Sequence, residues 1–498
     1  MPSGLLGPDH FPKAQANVPG QKALDARQVG IRLTTTFLSL RTMLMVVAAF
    51  GLAAAGDAPA HAQSAAAPIP DSLPKSDGDA AVTKSPGAAG PSIFPARQRP
   101  AAADAPRLAC SFWAPVCVHA EANVSDVSLE HVLHSAERFY RVTSALGLPQ
   151  PLPDGRLGGD DRYDIYLLSE PAVSITISDW MPAGRVWDQA SAFTILPPPV
   201  APFACDSEAA VARGLTRAAM LRLDAGIEDA ALAMAEAHLA DVVTDCASAS
   251  IAAVDDFQRF PERRLGFRHA DEATGAFLFG RYLDDTYGIG FPGGVLSSLL
   301  AVSAQRSPRD ALHFANEPDL FDALRSNTRA RGKPIEDLLL EFAVNRAFVG
   351  SRSDDGHLVD VAKYGDAGRV RFEWNIPHAT LPRRLAPLRP IEPTGATYLW
   401  VDLQGAPEDI DLGFVADWEA GVLFHWAVVK VDAHGIEMGR ITIAGIRGAT
   451  HAERSIVGLR GVAGLIVVGV NVGSIDRSHP YDPDELEMAR SYTVTLIR

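Results

Sequence analysis

Two arginines stand four residues apart in an alanine- and leucine-rich stretch near the middle of the chain. Within "CDSEAAVARGLTRAAMLRLDAG" this spacing places Arg213 and Arg217 on one face of a helix predicted over residues 207–223. A second helix, predicted over residues 226–245, carries Glu236. The very short join requires the two helices to form an antiparallel hairpin. Two guanidinium groups that converge on one carboxylate would form a salt-bridged cluster between these helices.

The chain contains four cysteines, namely Cys110, Cys117, Cys205 and Cys246. An even number in an exported protein is typical of two disulfides, and the sequence allows three pairings. The local pairing, Cys110 with Cys117 and Cys205 with Cys246, fits the hairpin because the last two lie just outside the helix ends that meet. Chain entropy would give about 4 kcal/mol for the longer loop and about 2.5 kcal/mol for the shorter. A four-cysteine zinc site is the alternative, although the spacings do not form CxxC knuckles.

The hairpin also predicts a register. Residues at one level of an antiparallel pair have a constant index sum, so a bridge between the last two cysteines places Glu236 level with Leu215. Glu236 would then lie between Arg213 and Arg217, about half a helical turn from each along the axis. The alternative is a solvent-exposed polar face, which is the usual place for such an arginine pair.

A helix with two ligands four apart, followed by a short turn and a second helix with a glutamate, resembles the zinc site of gluzincin metallopeptidases. These enzymes have the pattern H-E-x-x-H followed by a glutamate on the next helix. Here "VARGLTRAAM" stands at the first helix and "AMAEAHLAD" at the second. The flanking segments "YDIYL", "GAFLFGRYLDDTYG" and "LLLEFAVNRAFVG", with a C-terminal β-sandwich, resemble secreted bacterial proteins related to these enzymes. The resemblance spans residues 110–498 and implies a zincin-like α+β fold.

The sequence departs from this family at the positions that carry the chemistry. Arg213 and Arg217 stand at the two histidine positions, Gly214 stands at the general-base glutamate, and Glu236 remains as the third ligand. Zinc needs imidazole, thiolate or carboxylate donors, whereas an arginine is always protonated and has no lone pair to give. Glycine cannot take a proton from water. The resemblance therefore implies a degenerate site, with no catalytic residue, no zinc and no other cofactor.

A second candidate metal site lies on the helix predicted within "VSDVSLEHVLHSAERFYRVTSALGLP". His131 and His134 are three residues apart, with Glu130 and Glu137 close by. This spacing can place ligands on one face of a helix. An exposed polar stripe is the alternative interpretation.

Two further segments could bind ligands. The turn "DGRLGGDDRYD" holds Asp154, Asp160, Asp161 and Asp164, and calcium prefers such oxygen-rich turns. The EF-hand spacing is absent, so a plain turn is the alternative. In the C-terminal region, Tyr398, Trp400, Trp418 and Trp426 could stack on sugars, and a place in the hydrophobic core is the alternative.

Composition and the N-terminus predict an exported globular protein. The 498 residues are 47% hydrophobic and 21% charged, and the net charge of −15 argues against nucleic acid or anionic membrane as the main partner. The apolar run over residues 43–55, ending near "APAHAQ", predicts a signal peptide within residues 1–62, with an uncleaved anchor as the alternative. Residues 63–107, rich in alanine and proline, predict a disordered linker. No later stretch is apolar enough to cross a membrane, so we expect a secreted, periplasmic or cell-surface location.

The remaining chain supplies the elements that position these residues. Strands are predicted at "YDIYLL", "SITISDW" and "SAFTILP", and four more helices over residues 271–287, 292–304, 318–330 and 334–348. After residue 370 the period changes to two, and seven short strands predict an antiparallel β-sandwich.

The domains predicted from these elements are a metallopeptidase-like α+β domain over residues 108–370 and a β-sandwich over residues 385–498. The function predicted is non-catalytic binding of a protein, a peptide or a cell-surface ligand. One alternative is an active metal-dependent peptidase with a non-standard site, and the other is a glycan-binding or adhesion protein that acts through the sandwich.

Overall fold

The computed structural model of this protein describes residues 99–180, 189–201, 204–227, 229–265, 274–288, 291–303, 318–354, 356–407, 409–446, 448–473 and 489–498. These residues belong to one compact unit, Lys84–Arg498. The predicted signal peptide and residues 63–98 of the predicted linker lie outside the described residues. Within the described ranges, none of the helices has the length and apolarity needed to span a membrane.

A five-stranded mixed sheet forms the first part of the fold. Its strands are β1 (Arg107–Cys110), β2 (Val116–Ala120), β3 (Tyr163–Leu167), β4 (Ile175–Trp180) and β5 (Ser191–Leu196). The order is β1-β2-β3-β5-β4, with β2, β3 and β5 parallel and with β1 and β4 antiparallel at the two edges. The central strand β3 is buried along its whole length, as expected for a strand covered on both faces. The three strands predicted in this region are confirmed.

Eight α-helices occur in the described part of the chain: α1 (Asp126–Ala145), α2 (Cys205–Leu223), α3 (Asp229–Thr244), α4 (Ile251–Arg259), α5 (Phe277–Tyr287), α6 (Gly294–Ser303), α7 (Leu320–Ala330) and α8 (Ile335–Arg346). The Ser125 side chain caps α1 by accepting a hydrogen bond from Ser128 N. Pro334 lies directly before α8, where a missing N–H costs nothing. All predicted helices are present, and α4 was not predicted.

The two disulfides are Cys110–Cys117 and Cys205–Cys246. The predicted pairing is therefore confirmed, and the alternative four-cysteine zinc site is wrong because every thiol is used in a disulfide. The second bridge joins residues 41 positions apart and closes the α2–α3 hairpin where its open ends meet. Both bridges fit an extracytoplasmic location.

Two further sheets form a β-sandwich. Their strands are β6 (Trp374–Pro377), β7 (Arg383–Leu385), β8 (Ala396–Asp402), β9 (Leu412–Trp418), β10 (Phe424–Val431), β11 (Glu437–Ile443), β12 (His451–Ile456), β13 (Gly464–Asn471) and β14 (Tyr492–Ile497). The orders are β11-β10-β13-β8-β6 and β12-β9-β14-β7. The seven predicted strands are β8 to β14, and β6 and β7 were not predicted. The sandwich is not purely antiparallel, because β6 runs parallel to β8.

The first sandwich sheet is buried on both faces. One face contributes Trp426 and Val467 to the core between the two sheets. The other face contributes Val429 and Val468 to the core that also includes the helices. The hydroxyl of Tyr398, on β8, donates to the carbonyl oxygen of Ala343, on α8, at 2.8 Å. Strands β8, β10 and β13 therefore connect the two parts of the fold.

The folded structure begins before the predicted end of the linker. Residues 99–107, which the composition assigns to the linker, include Arg99, whose side chain is only 8% exposed. Its guanidinium forms ion pairs with Asp154, Asp164 and Asp179. The boundary predicted at residue 107 is wrong, because buried ion pairs fix the chain from Arg99 onward.

Candidate functional site

The α2–α3 hairpin brings Arg217 and Glu236 into direct contact. Arg217 Nη1 donates to Glu236 Oε1 at 2.8 Å, in agreement with the predicted register. Arg217 Nη2 also donates to Asp229 Oδ1 at 2.6 Å, and sequence analysis did not anticipate this contact. Glu236 and Asp229 are seven residues apart on α3, so their side chains follow one face of that helix. The seven-residue spacing between Asp229 and Glu236 is the sequence feature that could have predicted this contact.

Arg213 takes a different position from the one predicted. Its Nη2 donates to the carbonyl oxygen of Ala249 at 2.7 Å, and Glu236 acts on it through charge. Among the described residues, Arg213 Nε has no hydrogen-bond partner although it is buried. The predicted triad of Arg213, Glu236 and Arg217 is therefore corrected to an Arg217–Glu236–Asp229 cluster with Arg213 alongside it.

In this cluster, burial and the nearby opposite charges shift the pKa values of the side chains in opposite directions. Burial raises the pKa of Glu236, and the positive charges of Arg217 and Arg213 only partly offset this effect. Burial alone would lower the pKa of Arg217, but Glu236 and Asp229 raise it above its ordinary value. Burial lowers the pKa of Arg213, because the charges of Glu236 and Asp206 compensate less for the lost hydration. Of the two arginines, Arg213 is therefore the one whose positive charge is less compensated by nearby carboxylates.

Gly214 marks the place where α2 approaches the sheet most closely. A Cβ atom at this position would lie 2.5 Å from Thr194 Oγ1 and 3.2 Å from Thr176 Oγ1. The Thr194 hydroxyl is in turn hydrogen-bonded to Tyr163 Oη at 2.5 Å and to Thr176 Oγ1 at 2.8 Å. Only glycine fits at position 214 without displacing this buried hydroxyl network, which sequence analysis did not reveal.

A cleft of about 390 Å³ opens beside this hairpin. Its lining includes Ala210, Arg213 and Arg217 from α2, Glu236 from α3, and residues 174–176 at the start of β4. β4 is the edge strand of its sheet, and no strand in the described ranges pairs with its outer side. The cleft therefore combines an available strand edge with positive and negative side chains.

Zinc does not fit the four positions that resemble a metal site. The two arginines are donors only, Gly214 has no side chain, and the remaining carboxylate, Glu236, accepts from Arg217. Elsewhere in the described ranges, three or more ligand residues converge at Cys110–Cys117–Asp160 and at Cys205–Asp206–Cys246. In both places the sulfur atoms are bonded to each other, so they are not thiolate donors.

The alternative histidine pair is divided between the interior and the surface. His131 is 4% exposed, and its Nε2 is hydrogen-bonded to Ser207 Oγ at 2.8 Å. His134 is exposed on α1. Glu137 accepts from Ser111 Oγ at 2.7 Å. The structure does not bring these residues together into a metal site, because His131 is buried against Ser207 whereas His134 faces the surface.

The aspartate-rich turn surrounds a guanidinium. Arg99 Nη1 lies 2.8 Å from Asp154 Oδ2 and also pairs with Asp164, while Arg99 Nε lies 2.5 Å from Asp179 Oδ2. Asp160, which was also considered for calcium, instead accepts from the backbone N–H of Arg162. Two of the carboxylates considered for calcium, Asp154 and Asp164, therefore pair with Arg99. The third partner of Arg99, Asp179, was not predicted.

We expect this cluster to make stability depend on pH. Burial and the charge of Asp164 raise the pKa of Asp154 from 3.8 to about 6, although Arg99 opposes the shift. The folded state therefore binds this proton more tightly than the unfolded state, and the stabilisation present below pH 3.8 is lost as the pH rises through 6. After allowance for solvent screening the loss is about 1–2 kcal/mol. Denaturant unfolding at several pH values should reveal it, and Asp154→Asn should remove this component; equal pH dependence in both proteins would contradict the assignment.

The aromatic residues of the sandwich have different environments. Trp426 and Tyr398 are 0% exposed and Trp418 is 6% exposed, so these three rings belong to the core. Trp400 is only partly buried. Of the four aromatic residues considered for sugar stacking, Trp400 alone has a face that a ligand could reach.

No family model matches the sequence, and no curated protein matches it. Among solved structures, the chain is similar to the pre-peptidase C-terminal domain of collagenase from Bacillus anthracis. That match has 8% sequence identity and a TM-score of 0.17, and it covers 25% of this chain and 96% of the other.

Proposed function

We propose that this protein is an exported, non-catalytic relative of gluzincin metallopeptidases that binds polypeptide in the cleft beside α2. The hairpin of α2 and α3, the adjacent edge strand β4 and the order of the flanking elements support this assignment. The arginines support the loss of catalysis. The proposal assigns the cleft to recognition of an extended chain and not to hydrolysis.

One observation carries the proposal: Arg217 Nη1 donates to Glu236 Oε1 at 2.8 Å inside the cleft. In the gluzincin arrangement this glutamate would be a ligand of the metal. Here its carboxylate pairs with a fixed positive charge, and a second one, Arg213, lines the same cleft. Two guanidinium groups repel a dication, and Gly214, at the position of the general base, has no side chain to take a proton from water.

The edge strand supports binding of an extended peptide. An unpaired strand edge offers backbone N–H and C=O groups to an added strand, which is a common mode of peptide recognition. Residues 174–176, at the start of β4, line the cleft together with residues of α2. A peptide added there would pass over Arg213 and Arg217, whose charges could pair with acidic side chains.

Metal analysis tests the non-catalytic part of the proposal. After expression with zinc and extensive dialysis, we expect no stoichiometric zinc by elemental analysis, because the donors do not fit the ion. We also expect no peptidase activity that a chelator abolishes. Stoichiometric zinc together with chelator-sensitive cleavage would overturn the assignment.

Peptide binding tests the cleft. Ala210 is partly exposed and lines the cleft on α2, so Ala210→Trp should fill it. Fluorescence anisotropy with labelled extended peptides should give binding to the wild-type protein and at least about tenfold weaker binding to this variant. The matched control is Ala330→Trp, at an exposed position of α7, which should bind as the wild type does. Equal binding by both variants, or no peptide binding at all, would contradict the proposal.

A further inference from the structure

A separate cavity of about 280 Å³ lies between the sandwich and the segment that follows α8. Phe348 and Ile466 line its buried part, and Arg352, Phe372, Asn375 and Trp400 line it as well. Small-molecule sites begin at about 300 Å³, so a cavity of this size suits a compact ligand. This site is distinct from the α2–α3 cleft.

Arg352 is a partly buried cation that forms no ion pair with any carboxylate in the described part of the chain. Its Nη1 is buried and has no hydrogen-bond partner among the described residues. Burial, with the like charge of Arg369, lowers the pKa of Arg352 to about 10. Its guanidinium carbon lies 4.1 Å from the centre of the Phe372 ring. Buried charges in proteins are normally paired, so this arginine leaves room for an anion.

Two carboxylates on the flanking elements, those of Asp354 and Glu437, form hydrogen bonds with His357 and Arg440. His357 joins Asp354, at 2.6 Å from Nδ1, to Glu437, at 2.9 Å from Nε2. Glu437 also accepts two hydrogen bonds from Arg440, each of 2.6 Å. The His357 ring stacks on Phe348 at 3.7 Å. These contacts tie the segment that carries Arg352 to β11 and engage the carboxylates of Asp354 and Glu437 with side chains other than Arg352.

The aromatic side chains that line the cavity are held in place by their neighbours without a ligand. The rings of Trp400 and Phe372 stack with centres 5.8 Å apart and an angle of 28°. Trp400 lies on the backbone of β13, because a Cβ atom at Gly464 would be only 2.3 Å from the indole Cζ2. Asn375, which is paired with Trp400 across β6 and β8, adds an exposed amide at the rim.

We infer that this cavity binds a small ring compound that carries a carboxylate. The carboxylate pairs with the guanidinium of Arg352, and the ring packs against Trp400 and Phe372. Asn375 offers a donor and an acceptor to a ring substituent. Binding is reversible and forms no covalent bond. A uronic acid sugar and an aromatic acid share this chemistry, and the experiment distinguishes them.

Calorimetric titration of the full-length protein tests the site. The probes are sodium glucuronate and sodium benzoate, with glucose and benzamide as their uncharged counterparts. We expect at least one of the two acids to bind, and its uncharged counterpart to bind at least about tenfold more weakly, because a charge-assisted hydrogen bond is lost. The acid that binds more tightly identifies the ligand as a sugar acid or an aromatic acid. Binding of neither acid at millimolar concentration would overturn the inference.

Substitutions test whether Arg352 provides the positive charge that binds the carboxylate of the ligand. Arg352→Gln should weaken binding of the acid at least about tenfold, whereas Arg369→Gln, at a more exposed arginine paired with Asp366, should weaken it by a much smaller factor, because Arg369 acts on the site only through its charge. Without ligand, Arg352→Gln should unfold at about the temperature of the wild type, because this partly buried guanidinium forms no ion pair among the described residues that the substitution would break. A lower unfolding temperature would identify Arg352 as a structural residue, and unchanged binding by Arg352→Gln would place the ligand elsewhere; either result overturns the inference.

Discussion

Replacing Arg99 by methionine is expected to lower the free energy of unfolding by about 3–5 kcal/mol at neutral pH. The guanidinium pairs with Asp154, Asp164 and Asp179, whose side chains are 2%, 2% and 1% exposed. Methionine keeps much of the length but has no charge, so three buried carboxylates would repel one another without a cation. Protonation relieves this repulsion, and the loss should therefore become smaller as the pH falls.

Denaturant unfolding of Arg99→Met at neutral and mildly acidic pH measures this effect. Arg107→Met is the matched control, because Arg107 pairs with Asp126 at the surface, where the side chains are 26% and 85% exposed. Such an exposed pair contributes less than about 1 kcal/mol. If both variants lost the same stability, the aspartates would not depend on Arg99 and the account of this cluster would fail.

Gly214→Glu is expected to lower the free energy of unfolding by at least about 3 kcal/mol. The added Cβ would lie 2.5 Å from Thr194 Oγ1. That hydroxyl cannot rotate away freely, because Tyr163 Oη at 2.5 Å and Thr176 Oγ1 at 2.8 Å hold it. The carboxylate would add the cost of a charge at a buried position. Introducing a glutamate at position 214 should therefore disrupt the fold.

Two glycine-to-alanine variants separate the steric part of this effect. Gly214→Ala should cost about 1–3 kcal/mol through overpacking. Gly294→Ala, at the start of α6, should leave stability unchanged or raise it by up to about 1 kcal/mol. Its added Cβ would meet Phe291 Cβ at an ordinary 3.6 Å. Wild-type stability of Gly214→Glu in thermal and denaturant unfolding would show that α2 can move away from the sheet.

The periodic parts of the fold were accessible from the sequence. Helices α2 and α3 follow from the spacing of apolar residues, and β8 to β14 follow from alternation between turn residues. Helix α4 and strands β6 and β7 were missed, because they span only 9, 4 and 3 residues. Segments of this length contain too few periods for the pattern to stand out, and tertiary contacts decide their structure.

The candidate site was accessible in part. The position of Cys205 and Cys246 at the hairpin ends fixed the register that brings Glu236 to Arg217. The same register could not decide which partner Arg213 takes, because the carbonyl oxygen of Ala249 lies beyond the hairpin. Thr194 was not predicted beneath Gly214, because contacts between a helix and a strand depend on how the two elements pack.

The sequence by itself determined the local features of this protein: the α2–α3 hairpin, the α+β class and the absence of metal donors at Arg213, Gly214 and Arg217. It favoured the cysteine pairing that the structure confirms. Only the tertiary structure decided that Arg99 lies among three aspartates and that Trp400 borders a cavity with Arg352, which has no ion-pair partner among the described residues. Helix and strand periods and disulfide closure act along the chain, and they are therefore encoded in residue spacing. Whether a charged or aromatic side chain serves as an ion partner, a core residue or a ligand contact depends on which distant groups share its buried space, and that is set by packing.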